Sequence, residues 1–403
     1  MTNPDHSSPR RRRNGPKPAE VPAYQRRDVL DPLPELSLMS ARTPLVEAQG
    51  TGGHDWIATG REAVRAVLGD ADRFSTGPPA ASAEESRRLV QPGNLLQYDL
   101  PEHARLRKML TPEFTVRRMR RMEPVIEEAV ADQLDDLESA GPPADLMRHF
   151  AWPVPGLVIC GLLGVPRDDL ADLARVLDIR ATSRTKKRDV AAKTVDTYLV
   201  KIVARKRADP GDDLLSMLVR EHGTDVTDQE LAGICSSFIA AALEGSAQML
   251  GLGTLALLLH PDQLTLLRER PELMDRAVEE LLRYVAVVSL ASPRTALVDV
   301  PLAGRVVKAG QVVTCSLLAA NRAEAPGAPR DTLDITRENT THLAFGHGIH
   351  HCVGASLARM ALRTAFARLL DRFPDLRLAA APHELRFRQL APQYGVESLP
   401  VAW

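Results

Sequence analysis

Cysteine is scarce in this chain. Its 403 residues hold four, Cys160, Cys235, Cys315 and Cys352, scattered without a paired spacing, so a disulfide scaffold is excluded and a reducing cytoplasm fits. An excess of one charge is missing too: 51 basic residues offset 52 acidic ones, which removes any global attraction to nucleic acid or a membrane surface. No uninterrupted apolar run approaches the ~18 residues of a membrane span, and the N-terminal stretch lacks the apolar core of a secretory signal. What the chain does have is apolar material, 44% of its residues, enough for a large buried core. Length alone suggests two or three domains, but residues 23–403 read as one unit.

Residues 1–22 are rich in Pro, Arg, Asn and Ser, with Arg10, Arg11, Arg12 and Arg13 in a row. They read as a solvated, disordered tail rather than a nucleic-acid arm. His54-Asp55-Trp56-Ile57-Ala58 predicts a strand, and residues 75–97, without periodicity, a long loop. Helical patterns fill 144–222, broken by Pro153, Pro155, Pro166 and Pro210-Gly211. Thr227-Asp228-Gln229-Glu230 is a capping box. The helix it opens runs free of proline to His260-Pro261, roughly 50 Å at ~1.5 Å per residue. A helix so long and apolar has to cross a domain's interior. Glu244 sits near its middle, where a carboxylate is costly unless it has a partner or a purpose.

Chemistry concentrates in Phe345-Gly346-His347-Gly348-Ile349-His350-His351-Cys352-Val353-Gly354. Two glycines let the loop turn sharply and let a flat ligand approach its backbone. The cysteine opens a helix with Leu357, Ala361, Ala365 and Leu369 at four-residue spacing, stopped at Pro374. At a helix N-terminus the thiolate form of Cys352 is favoured. Three readings compete: a buried structural cysteine, a zinc site with His347, His350 and His351 whose spacing is unlike structural zinc, and an axial thiolate for heme. Phe, two Gly, His, Cys and Gly at these offsets arise by chance on the order of once in 10,000 chains or less. The segment resembles the cytochrome P450 family, whose signature is F-x-x-G-x-x-x-C-x-G, with F-G-x-G-x-H-x-C-x-G common in bacterial members. Every fixed position is present, and the heme reading is taken.

Three more motifs follow the family's order. Asp99-Leu100-Pro101-Glu102-His103-Ala104-Arg105-Leu106-Arg107 resembles D-P-P-E-H-x-R-L-R with Leu100 for one proline, which implies that His103 and Arg107 hold heme propionates. A buried propionate needs fixed cationic or N–H donors. Arg294 and His350 match further propionate partners, and Phe345 and Gly354 complete the cofactor set. In the long helix most members read A-G-x-D/E-T-T. Here Glu244 matches the acid, Gly245 stands at the alcohol position and Ser246 lies about a hundred degrees further round. This is similar to the A-G-F-E-A-S of bacterial macrolide hydroxylases. Either a substrate hydroxyl, Ser246 or a water completes the proton relay, or the reaction dispenses with the usual oxygen scission, as in oxidative coupling of aromatic rings. Gly245 simply relieving crowding above a cofactor or bending the helix is the plainer alternative.

Glu280 and Arg283, three apart on one helical face, resemble the structural E-x-x-R, with Arg337 or Arg322 as its third partner. Arg359 lacks the acid that bacterial members place two residues on. Leu96, Ala241, Ala242, Val288, Ser289, Gln393 and Tyr394 fall where members line the substrate pocket, and residues 179–187 where two helices roof it. Arg117, Arg118, Arg120 and Arg121 read first as a solvated face and second as a dock for an acidic electron donor. No aromatics interleave for nucleic acid.

The resemblance implies a mainly α fold with small β-sheets and heme b between the long helix and the Cys352 helix. It also implies a cytoplasmic monomer that uses O2 and electrons from an external ferredoxin and ferredoxin reductase. A thiolate ligand favours O–O cleavage. The first functional reading is a monooxygenase oxidising a bulky natural product in secondary metabolism. The alternative is oxidative C–C or C–O coupling of aromatic or cyclic-dipeptide substrates without oxygen insertion. A heme sensor is a third, non-catalytic class.

Overall fold

The computed structural model describes residues 25–403 except 33–35, 37–39, 41, 49–54, 78–89, 171–185, 324–330, 339 and 390–392. The basic tail and nearly all of the polar roof segment 179–187 therefore lie outside the described residues. The architecture is mostly helical with small sheets, as the resemblance implied.

The long helix forms as its cap dictates. Thr227 Oγ1 accepts from the Glu230 N–H at 3.2 Å while Glu230 Oε2 accepts from the Thr227 N–H at 3.0 Å, and the helix runs unbroken over Asp228–Leu259. Pro261 then occupies the first turn of the next helix, Pro261–Glu269. The helices packed most extensively against the long one among the described residues are Pro153–Leu163, Lys186–Ala208, Met274–Val285 and Ala355–Arg372. Its C-terminal half is buried almost continuously from Ala247 to Leu257. By length and composition this helix could cross a membrane, but 67% of its apolar window is buried inside the molecule. It is a core helix.

The main sheet has five strands in the order Leu45–Glu47, Trp56–Ala58, Val312–Cys315, Arg294–Ala296 and Phe74–Ser75. Val312–Cys315 runs parallel to Trp56–Ala58 and antiparallel to Arg294–Ala296. Val313 and Cys315 are buried there, as befits a central strand. The sheet carries Arg294 to the edge of the cysteine loop.

The helix after the cysteine begins at Ala355 and ends at Arg372, one residue before Phe373-Pro374. Cys352 therefore lies in the turn ahead of the helix and does not open it. Gly354 is the N-cap, and the Ala355 N–H reaches the Cys352 carbonyl at 3.4 Å.

Candidate active site

The cysteine loop is held by its own backbone. The Cys352 N–H donates to the Phe345 carbonyl at 2.9 Å and the His351 N–H to Gly348 at 3.0 Å. Gly348 has φ +74°, and a Cβ there would lie 2.2 Å from the Leu68 carbonyl, so the turn needs glycine both for conformation and for contact with helix Arg61–Gly69. Among the four cysteines Cys352 alone is exposed. Burial pushes Cys160 up to about 11 and Cys235 and Cys315 to about 12. Protein also surrounds the Cys352 thiol closely, and that desolvation raises its pKa, opposed by the Gly354 N–H and the charges of Arg107 and Arg359. The Gly354 N–H at the helix terminus thus acts in the direction expected, toward the thiolate, against the desolvation. Ligation, which requires the thiolate, offsets the cost. Among the described residues no three His, Cys, Asp or Glu side chains converge as a metal-ion cage, so the zinc arrangement is not formed.

Next to the thiol lies a concentration of basic groups. His103 and His350 meet edge to face with ring centroids 4.4 Å apart. His103 Nε2 and His350 Nδ1 are buried without a hydrogen-bond partner. Burial lowers the pKa of both, and the charges of Arg294, His103 and Arg107 help hold His350 at about 3. Burial likewise lowers Arg107 and Arg294. Arg294 Nη1 donates to Thr76 Oγ1 at 3.1 Å and to the Ser292 carbonyl at 2.9 Å. Asp99 is the one carboxylate whose charge raises His103 and Arg294. Two buried donors, His103 and Arg294, and two half-buried ones, Arg107 and His350, with so little opposing charge form a site for an anion. Two propionates on a flat ring fit it.

The middle of the long helix faces a C-terminal hairpin whose described arms, 386–388 and 395–397, pair antiparallel. Arg388 Nη1 lies 2.9 Å from Glu244 Oε1, and both side chains are mostly buried. One turn on, the fully buried Gln248 accepts from the Val396 N–H at 2.9 Å and donates to its carbonyl at 3.4 Å. A Cβ at Gly395 would lie 2.1 Å from the Gln248 side chain. The hairpin is thereby clamped to the helix beside the acid. A Cβ at Gly245 would meet nothing within 4 Å, so the glycine relieves no crowding by protein atoms, and the helix continues unbroken through it. Ala241 is exposed, and Ala242 and Ser246 are half-buried.

The pocket expectations divide. Leu96 is exposed, and Val288 and Gln393 are half-buried. Tyr394 and Ser289 are committed elsewhere. The Tyr394 hydroxyl donates to the Val29 carbonyl, its ring stacks on Phe387, and the Arg27 guanidinium lies 4.2 Å over it. Ser289 Oγ accepts from Arg27 Nη2 at 2.7 Å. A buried guanidinium needs such acceptors, so these two side chains serve Arg27.

Residues 158–378 match the family described as Cytochrome P450. Cytochrome P450 165B3 of Amycolatopsis orientalis is 44% identical over 393 residues, 95% of this chain and 98% of the relative.

The chain belongs to the cytochrome P450 family.

Two solved structures agree with it over nearly their whole length. OxyC, a cytochrome P450 implicated in an oxidative C–C coupling reaction during vancomycin biosynthesis, is 45% identical with a TM-score of 0.87, covering 94% of this chain and 96% of OxyC. OxyB from teicoplanin biosynthesis, solved in complex with an X-domain, is 48% identical with a TM-score of 0.85, covering 95% and 100%. This P450 is an oxidoreductase whose cofactor is heme b bound through a thiolate.

Behind the heme site the P450 scaffold is explicit. Arg283 Nε and Nη2 each donate to Glu280 at 2.7 Å, both side chains fully buried. Arg337 Nε lies 3.3 Å from Glu280, and the Asp334 N–H donates to it at 3.0 Å. Arg337 is therefore the third partner. Arg322 donates instead to the Tyr284 carbonyl at 3.0 Å and stacks 3.5 Å over its ring. Arg359, expected to lack a neighbour, is held by Glu279 at 2.5 and 3.0 Å. Sequence reasoning missed Arg388, Gln248, Arg27 and Glu279 because each acts across a long stretch of chain with no local spacing to mark it.

Proposed function

We propose that this P450 joins aromatic groups of a peptide natural product in secondary metabolism, forming a C–C or C–O bond without inserting oxygen. The reading is carried by the alcohol position of the long helix. Gly245 offers no hydroxyl there, while Glu244 beside it is drawn onto Arg388. Likeness to OxyC over nearly its full length supports the same class. It reverses the order in which sequence alone placed the two reactions.

Heme, when bound, supplies O2 activation and oxidising equivalents. The chain's own residues do the rest. Cys352 would supply the thiolate that ligates the heme. His103, Arg107, Arg294 and His350 would neutralise its propionates, and Phe345 and Gly354 shape the loop that would receive it. Leu96, Ala241, Ala242 and Val288 give the substrate an apolar, partly open wall, with Gln393 as a polar group beside it. Two hydrogens leave as the new bond forms, both from rings for a C–C bond, one from a ring and one from a phenol hydroxyl for a C–O bond, and with two electrons and two protons from outside O2 ends as two waters.

Those electrons come from an external ferredoxin and its reductase. Arg118 and Arg121 are spent on the buried Glu113, whereas Arg117 and Arg120 are exposed on a segment that packs against the Cys352 helix. An acidic donor fits that face. The protein acts as a cytoplasmic monomer on its substrate, and likeness to an OxyB solved with an X-domain adds a protein domain as a second partner.

Turnover under isotopic O2 with mass spectrometry tests the reaction. A product two hydrogens lighter and free of label is expected. A product carrying labelled oxygen overturns coupling and selects monooxygenation, with the half-buried Ser246 or a substrate hydroxyl as the donor beside Gly245.

A further inference from the structure

Consecutive acids on a helix point about a hundred degrees apart, and helix Met274–Val285 uses that divergence. Glu280 turns toward Arg283 and Arg337. Glu279 turns toward the cysteine loop. There it takes two hydrogen bonds from Arg359, at 2.5 and 3.0 Å, and lies 3.0 Å from His342 Nε2. The Ala344 N–H donates to His342 Nδ1 at 3.2 Å, which leaves the proton of the neutral ring on Nε2, directed at Glu279. Despite partial burial, these partners hold the Glu279 carboxyl at about 2.

The clamped guanidinium has a second contact. Arg359 Cζ sits 4.5 Å above the Phe345 ring, and the Phe345 carbonyl accepts the Cys352 N–H at 2.9 Å. The charge of Arg359 also acts on the Cys352 thiol. Arg359 is thus fixed in place by a bidentate pair and spread over the ring of the residue whose carbonyl accepts the Cys352 N–H.

We propose that Arg359, oriented by Glu279, is a positioning residue that presses on Phe345 and sets the reduction potential of the heme through its charge beside Cys352. Reduction adds one negative charge at the iron–sulfur unit, so a nearby cation favours it and a nearby carboxylate opposes it. Glu279 offsets part of the field of Arg359. This holds whichever reaction the P450 performs.

The signs give the test. The heme midpoint potential is measured by reductive titration of the holoenzyme, with the ferrous–CO spectrum reporting that the thiolate is retained. Arg359→Gln leaves the Glu279 carboxylate behind and lowers the potential. Glu279→Gln leaves the cation uncompensated and raises it. The double variant returns toward the wild-type value, and Arg359→Lys, which keeps the charge but loses the fork, stays nearer to wild type than Arg359→Gln. If both single variants shift in the same direction, or neither moves, the proposal is overturned, because packing alone carries no opposite signs. Should Arg359→Gln fail to fold, Glu279→Gln and Arg359→Lys decide: a raised potential in the first with little change in the second supports the role, and any other pair of results overturns it.

Discussion

Single side chains set the chemistry around Cys352, and their electrostatics give definite predictions. Glu279 is held at about 2 against an ordinary value of 4.5 by His342 and Arg359. A carboxyl depressed on folding contributes stability that is present above 4.5 and lost as pH falls toward 2. Glu279→Gln should therefore flatten the acid limb of the stability–pH curve over that window, measured by urea unfolding at a series of pH values. Gly395→Ala places a Cβ 2.1 Å from Gln248, and overpacking of this kind costs about 1–3 kcal/mol. A lowered urea midpoint with an unchanged slope would show it. The cysteine motif was legible in sequence because its ten residues are contiguous and the chemistry needs them so. Glu244 was legible as a buried acid needing a partner, but Arg388 was not, because an ion pair across most of a domain leaves no local spacing. Tyr394 was misplaced in the pocket for the same reason: what claims its ring is Arg27, from the other end of the chain.

At the level of elements, helix Met274–Val285 ties the meander, the irregular segment 331–338 that carries Asp334 and Arg337, to the heme side of the molecule. Glu280 is fully buried between Arg283 and Arg337, and removing one member of a buried pair costs about 3–5 kcal/mol. Glu280→Ala is expected to lose that much in urea unfolding and to purify with less heme, since the same meander leads into the cysteine loop. The i,i+3 pair could be read from spacing alone. Its third member could not, because Arg322 and Arg337 both lie in the same irregular segment and only the fold brings one of them to Glu280. The long helix was fully legible from its capping box to Pro261, whereas the start of the cysteine helix was misread. Periodicity marks which face is buried, not where the first helical hydrogen bond falls.

Taken whole, the molecule presents Arg117 and Arg120 on a surface behind the Cys352 helix, with the anion-binding groups His103, Arg107, Arg294 and His350 inside. Charge reversal at both exposed arginines, Arg117→Glu with Arg120→Glu, should slow reduction by a ferredoxin and weaken its salt dependence, while reduction by dithionite in stopped flow stays unchanged. Fold class was legible because four motifs occur in one order. The reaction was not, since the glycine at the alcohol position gains its weight only beside Glu244 drawn onto Arg388, a pairing that the fold alone brings about. The most direct measurement is the heme content and ferrous–CO absorption of Cys352→Ser beside the wild type. Loss of the red-shifted thiolate Soret band, with reduced heme retention, is predicted. An unchanged spectrum at full heme load would contradict iron ligation by Cys352.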